Sequence, residues 1–62
     1  MIELPDQRLF TVREVSELLG VSRKTVMRLY ESGLLEGRRY SPRNTRFERG
    51  EVEEYIRRRE EI

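Results

Sequence analysis

Neither cysteine nor histidine occurs anywhere in the 62 residues. The first absence excludes a disulfide framework and a thiolate metal site. The second removes the commonest general base and the commonest transition-metal ligand. Aspartate is represented only by Asp6, and the serines and glutamates are scattered without a catalytic arrangement. No enzymatic chemistry, cofactor or metal is therefore expected. Long apolar runs are missing too: none approaches the ~18 residues of a membrane span. The opening Met1-Ile2-Glu3-Leu4-Pro5-Asp6 lacks the basic and apolar regions of a signal peptide. A soluble, cytoplasmic protein with no membrane partner is the expectation. Apolar residues make up 35% against 40% charged, so one small domain with a thin core is all the chain can build. Such a core leaves little room for a regulatory ligand pocket.

What the chain has in excess is arginine, unevenly placed. Net charge is only +1. Residues 20–50, however, hold Arg23, Lys24, Arg28, Arg38, Arg39, Arg43, Arg46 and Arg49 against Glu31, Glu36 and Glu48, a local +5, while residues 1–19 and 51–62 each come to −2. A polyanion facing the middle third is the physical suggestion. A solvated arginine-rich surface has the same composition, so charge alone does not decide.

Residues 1–8 read as an arm without periodicity, with Pro5 and Asp6 arguing against regular structure. The domain proper is expected over residues 9–62. Thr11 followed three residues later by Glu14 is a capping box, and Phe10 with Val15 fits a hydrophobic staple around it. Val12, Val15 and Leu19, with Leu18 beside them, mark one face of a helix over Val12–Leu19 that Gly20 stops. Ser22 is a second N-cap. Val26, Leu29 and Tyr30 give the next i, i+3, i+4 stripe, closed by Gly33. A link of about three residues forces the two helices to cross steeply, with Gly20 at the corner. Leu34 and Leu35 are expected to pack beneath them.

Arg38-Arg39-Tyr40 and Asn44-Thr45-Arg46-Phe47 flank Ser41-Pro42-Arg43 and read as a hairpin around a proline turn. After Gly50, Val52, Tyr55 and Ile56 form a third helical stripe, with acids leading and arginines trailing in accord with the helix dipole. Glu53 with Arg57 and Glu54 with Arg58 stand as favourable i, i+4 pairs, which gives those arginines a local role and removes them from the candidate contacts. Tyr30, Phe47 and Tyr55 sit at apolar-periodic positions and are expected in the core. Tyr40 either covers the core or stands on the hairpin. Met27 fits partial packing better than contact with a thymine methyl.

The order is helix, tight glycine turn, helix, hairpin, helix. In a helix-turn-helix, the second helix enters the major groove with its N-terminal residues against base edges. Ser22, Arg23, Lys24 and Thr25 occupy that end, with Arg28 one turn on. Arg23 and Arg28 suit bidentate contact with guanine, and Lys24 suits phosphate. Strand alternation should turn only one of Arg38 and Arg39 outward, and Arg39 is taken as the DNA-facing one.

Leu9-Phe10-Thr11-Val12-Arg13-Glu14-Val15, then Leu19-Gly20-Val21-Ser22-Arg23-Lys24-Thr25-Val26, Arg28-Leu29 and Gly33, together resemble the excisionase group of the MerR-like winged-helix proteins. Arg46-Phe47 and Glu51-Val52-Glu53-Glu54-Tyr55-Ile56 resemble that group's wing exit and closing helix. The resemblance implies a mostly α, winged helix-turn-helix fold of three helices plus a two-stranded wing. It implies a double-stranded DNA partner, Arg23, Lys24 and Arg28 as groove residues, and Arg43, Asn44, Thr45 and Arg46 as wing residues. It further implies an architectural factor that assists an integrase or recombinase, encoded by a bacterium or phage and associated with the nucleoid. Alternatives are a small MerR-like transcription regulator and, from another class, a protein-interaction module such as an anti-repressor.

Three departures from the pattern stand out. Ser16 replaces an alanine common at the helix crossing, Met27-Arg28-Leu29 replaces the Arg-Tyr-Tyr of full MerR regulators, and the last residue, Ile62, follows Gly50 too closely for a long dimerisation helix. The last departure gives the expectation of a monomer that binds cooperatively, head to tail, on repeated sites.

Overall fold

A computed structural model describes residues 4–60 of the chain; the first three residues of the expected arm and the last two of the expected domain lie outside them. The elements run β1 (Leu9–Thr11), α1 (Val12–Leu19), α2 (Arg23–Ser32), β2 (Arg38–Ser41), β3 (Asn44–Glu48) and α3 (Arg49–Glu60). Three helices and an antiparallel sheet give the expected winged helix-turn-helix architecture, with one correction. The sheet has three strands in the order β1-β3-β2, not the two of an isolated wing. Leu9, Phe10 and Thr11 pair with Glu48, Phe47 and Arg46, so the segment read as staple and cap also closes one edge of the sheet.

Both N-terminal helices begin and end where local chemistry places them. Thr11 is extended (φ −78°, ψ 167°); its hydroxyl accepts the Glu14 N–H at 3.1 Å, while its own N–H donates to Glu14 Oε1 at 2.9 Å. Ser22 caps α2 by accepting the Thr25 N–H at 3.1 Å. Gly20 (φ 69°) and Gly33 (φ 83°) stop the helices in the left-handed conformation, which side chains with a Cβ avoid. The wing turn is different. Its loop is Pro42-Arg43, and among the described residues no non-glycine has positive φ, so the turn is not of the primed kind that matches strand twist. A bulge lies beside it: Arg39 pairs with Thr45 but Ser41 with Asn44, which leaves Tyr40 as the extra residue.

The core consists of Phe10, Val15, Leu19, Val26, Leu35, Phe47, Val52 and Ile56, one or two residues from almost every element. Ser16 is buried at the helix crossing with its hydroxyl donated to the Arg13 carbonyl at 2.6 Å. Tyr30 and Tyr55 pack against the cluster, partly buried, as do Val12, Leu18 and Leu29. Leu34 departs from expectation: Leu35 is buried but Leu34 is 59% exposed, because the chain turns after Gly33 and offers only one of the pair to the core. Helix α3 starts at Arg49, before Gly50. That earlier start gives Glu53 a partner one turn back, Arg49 at 2.8 Å, in place of the expected Arg57. Glu54 then takes both Arg57 and Arg58, the latter at 3.2 Å.

Residues 5–8 hold no regular element, yet they are tied down. The Arg49 N–H donates to the Arg8 carbonyl at 2.8 Å, and the Arg49 guanidinium donates to the Pro5 carbonyl. Gln7 Nε2 reaches the Leu9 carbonyl and Glu14 Oε2, at 2.9 and 2.8 Å. Among the described residues no helix is long and apolar enough to cross a membrane.

Candidate nucleic-acid interface

The N-terminal half of α2 presents a basic, open surface. Ser22, Arg23, Lys24 and Arg28 are exposed, Thr25 and Met27 are half-buried, and Val26 turns into the core. The amphipathic spacing therefore sorts the helix as expected, with cations outward and the anchor inward. The Ser22 and Thr25 hydroxyls lie 3.0 Å apart and bond to each other, so these two residues shape the helix start while the arginines and lysine reach beyond it. No acid lies in the first turn, and the positive end of the helix dipole is left uncompensated for an anion.

Ion pairing separates the cations into two groups. Arg13 pairs with Glu17, Arg38 with Glu48, Arg49 with Glu53, and Arg57 and Arg58 with Glu54. Arg23, Lys24 and Arg28 on α2, Arg43 at the wing tip and Arg8 form no ion pair among the described residues, and neither do Arg39, Arg46 and Arg59, which engage the Tyr30 ring and the Thr45 and Leu19 carbonyls instead. The pairs are mutually exposed and contribute little stability each. Their value here is diagnostic: a paired cation has a partner on its own surface, and an unpaired one presents its full charge outward.

The wing residues divide by strand alternation. Arg43 and Asn44 are exposed at the tip. Thr45 is only 4% exposed, because it shares the inner sheet face with Phe47 two residues on. It supports the wing from within and is not available as a contact. Arg46 is half-buried on the opposite face, opposite both Thr11 and Arg38, with Nη1 on its neighbour's carbonyl, that of Thr45, at 3.0 Å. Its charge acts on Glu14: that carboxyl is held below its ordinary value of 4.5, first by the Thr11 N–H, then by the Gln7 amide, with Arg46 adding attraction.

Arg38 and Arg39 are both exposed, but they face different ways. Arg38 lies toward Glu48, 3.8 Å away on the outer side of the sheet. The Arg39 guanidinium lies over the Tyr30 ring of α2, its carbon 5.5 Å from the ring centroid. That engagement is worth about 0.5–1 kcal/mol at an exposed site. Tyr40 is 61% exposed and stands on the wing, the outcome the bulge produces by turning it away from the core.

One residue that matters to this surface went unremarked in the sequence, and another was given only part of its role. Gly37 sits where a Cβ would lie 2.7 Å from the Phe47 ring and 3.1 Å from the Arg46 carbonyl oxygen; an isolated glycine at the entry to a predicted strand was the available signal. Tyr30 was assigned to the core, whereas it also serves as the seat of Arg39. A family model described as a helix-turn-helix domain matches residues 9–60. No curated protein and no solved structure matches the chain.

Proposed function

The chain belongs to the helix-turn-helix domain family, and from that membership we propose that it binds duplex DNA sequence-specifically, with α2 in the major groove and the β2–β3 wing against the backbone or minor groove. The observation that carries this is where free cations gather: Arg23, Lys24 and Arg28 on α2 and Arg43 at the wing tip are exposed with no ion-pair partner among the described residues, a state shared elsewhere only by Arg8. Arg39, by contrast, is seated on Tyr30, Arg46 is half-buried on the Thr45 carbonyl, and Arg59 reaches the Leu19 carbonyl. Arg23 and Arg28 are positioned for base edges, Lys24 and Arg43 for phosphate, and Asn44 for the wing's groove contact, while Ser22 and Thr25 form the helix end that carries Arg23 and Lys24. Arg46 stands behind the tip, half-buried, with its guanidinium on the Thr45 carbonyl.

The role we assign within that function is architectural, in the manner of an excisionase. Met27-Arg28-Leu29 in α2, in place of an Arg-Tyr-Tyr run, supports it. Such a protein would bind beside a recombination site, bend the DNA and direct an integrase, without chemistry of its own. A module of this size buries roughly 600–1,000 Å² on DNA, so single-copy affinity is modest and occupancy gains from protomers on adjacent sites.

Selection from a random duplex pool, followed by gel shifts at two salt concentrations, tests the proposal. A recovered sequence motif is expected. With Lys24 and Arg43 on phosphates, and up to four if Arg23 and Arg28 also meet the backbone, the log–log salt slope should be about −2 to −4, at ~0.9 per phosphate. Arg23→Ala with Arg28→Ala should lower affinity for the selected site at least about tenfold. No recovered motif and no salt effect would overturn DNA binding. An unbent complex, or no influence on recombination of attachment-site DNA, would overturn the architectural role alone.

A further inference from the structure

One stack of four residues joins the wing to the recognition helix. Gly37, just before β2, has no side chain, and the Phe47 ring of β3 lies against its backbone, where a Cβ would stand 2.7 Å from two ring carbons. Phe47 is fully buried. Tyr30 of α2 meets that ring edge-on, with centroids 5.9 Å apart and planes at 89°, the geometry that opposes positive ring edge to negative ring face. Arg39 of β2 covers Tyr30 at 5.5 Å. Gly37 and Arg39, two residues apart, thus hold the aromatic pair between them. The closely approaching elements are β2 with β3, β1 with β3 and α1 with α2, whereas the α2 backbone stays largely apart from the wing strands. Side chains therefore join wing and helix: the shared core around Val26, Leu35 and Phe47, and this stack at its edge.

We infer that Arg39 is a positioning residue, fixing the wing at one angle to α2 through Tyr30, and that it does not itself contact DNA; the inference rests on the DNA-binding role proposed above. A wing held at one angle presents Arg43 in register with Arg23 and Arg28, so ordering it costs nothing at the moment of binding. A wing free to pivot would have to be ordered on the DNA. The face of the Tyr30 ring attracts the guanidinium by its quadrupole, which requires a ring and not a hydroxyl. Tyr30→Phe should therefore preserve the device, and Tyr30→Leu should remove it without changing any charge.

The test measures affinity, salt slope and hydroxyl-radical footprint of the full chain on its selected duplex. Arg39→Ala and Tyr30→Leu should each weaken binding about two- to fivefold, the span expected of one exposed cation–ring contact. Both should lose protection on the wing flank and keep it in the groove read by α2. The double variant should be no weaker than the poorer single one, since both remove the same coupling. The salt slope of Arg39→Ala should equal that of Tyr30→Leu, which loses the same wing contact without removing a charge, and Tyr30→Phe should behave as the unaltered chain. A slope in Arg39→Ala reduced by about 0.9 more than in Tyr30→Leu, or a wing footprint intact in Tyr30→Leu, would overturn the inference and leave DNA binding standing. Failure of the unaltered chain to bind any duplex would overturn both. Should thermal melting show Tyr30→Leu unfolded, Arg39→Ala in an Arg43→Ala background decides: a slope equal to that of Arg43→Ala supports the inference, and one lower by about 0.9 overturns it.

Discussion

Helices α1 and α2 are built to the same local plan and finished differently. Each starts at an extended hydroxyl residue, Thr11 or Ser22, and each stops at a left-handed glycine. The difference lies three residues after the cap. Glu14 stands there in α1, takes the Thr11 N–H, and is further held by Gln7. Thr25 stands there in α2, uncharged, its hydroxyl bonded to that of Ser22. The first helix thus satisfies its positive end from within the chain. The second keeps a stabilising cap, leaves its dipole uncompensated, and adds Arg23 and Lys24 beside it. One helix end is closed and structural, the other open to an anion, and a single side chain separates the two states.

The largest effect should come from erasing that difference. Thr25→Glu gives α2 the closed cap of α1. Thermal melting should show stability kept or raised, while affinity for the selected duplex should fall about tenfold or more, because an acid then faces phosphate a few ångströms away. Unchanged affinity in gel shifts would mean that this helix end does not face the backbone.

Removing the caps should come next in size. Thr11→Ala and Ser22→Ala should each cost about 1 kcal/mol, seen as a melting point lowered by about 4–8 °C in a domain this small. Ser22→Ala should also weaken DNA binding at temperatures where both variants are folded, and Thr11→Ala should not. Equal loss of affinity in the two would dissolve the distinction between a structural and a reading helix.

The smallest effect concerns acid. The carboxyl of Glu14 is held below its ordinary value when folded, so the unfolded chain binds the proton more readily. Its contribution to stability is complete above about pH 4.5 and is lost as pH falls through the lowered value. Glu14→Gln should flatten that part of the stability–pH curve, followed by denaturant titration from pH 6 down to pH 3. A curve of unchanged steepness would show that Glu14 is not held in the box in solution.

The parts of the fold legible in the sequence were those whose causes lie within a few residues. Thr11, Glu14, Gly20, Ser22 and Gly33 mark both helices to the residue because caps and glycine stops act over one turn. The basic face of α2 followed from the 3.6-residue period that buries Val26. What lay hidden depends on partners distant in the chain. The strand role of Leu9–Thr11 needs β3 to exist, and the same three residues already carry cap and staple signals. Thr45 reads as a wing residue by resemblance, although strand alternation from the core residue Phe47, two positions on, already turns it inward. The exchange of Arg57 for Arg49 as the partner of Glu53 followed from two residues' difference in where α3 begins. Arg39 stood out as the more outward arginine, but the ring beneath it lies on another element, beyond the reach of local pattern.

The pairing of β1 with β3 has a consequence for how the molecule assembles. The two helices and their turn need only short-range contacts, and they can form as soon as the residues through Gly33 are available. Leu9–Thr11 must wait for Asn44–Glu48, across a loop of roughly forty residues whose closure entropy is met before any ladder bond forms. That strand is made early and paired late, so the sheet's edge records the completion of folding. Amide exchange at Phe10, in the middle of that strand and opposite Phe47, should report the closing event, separately from the helices that precede it.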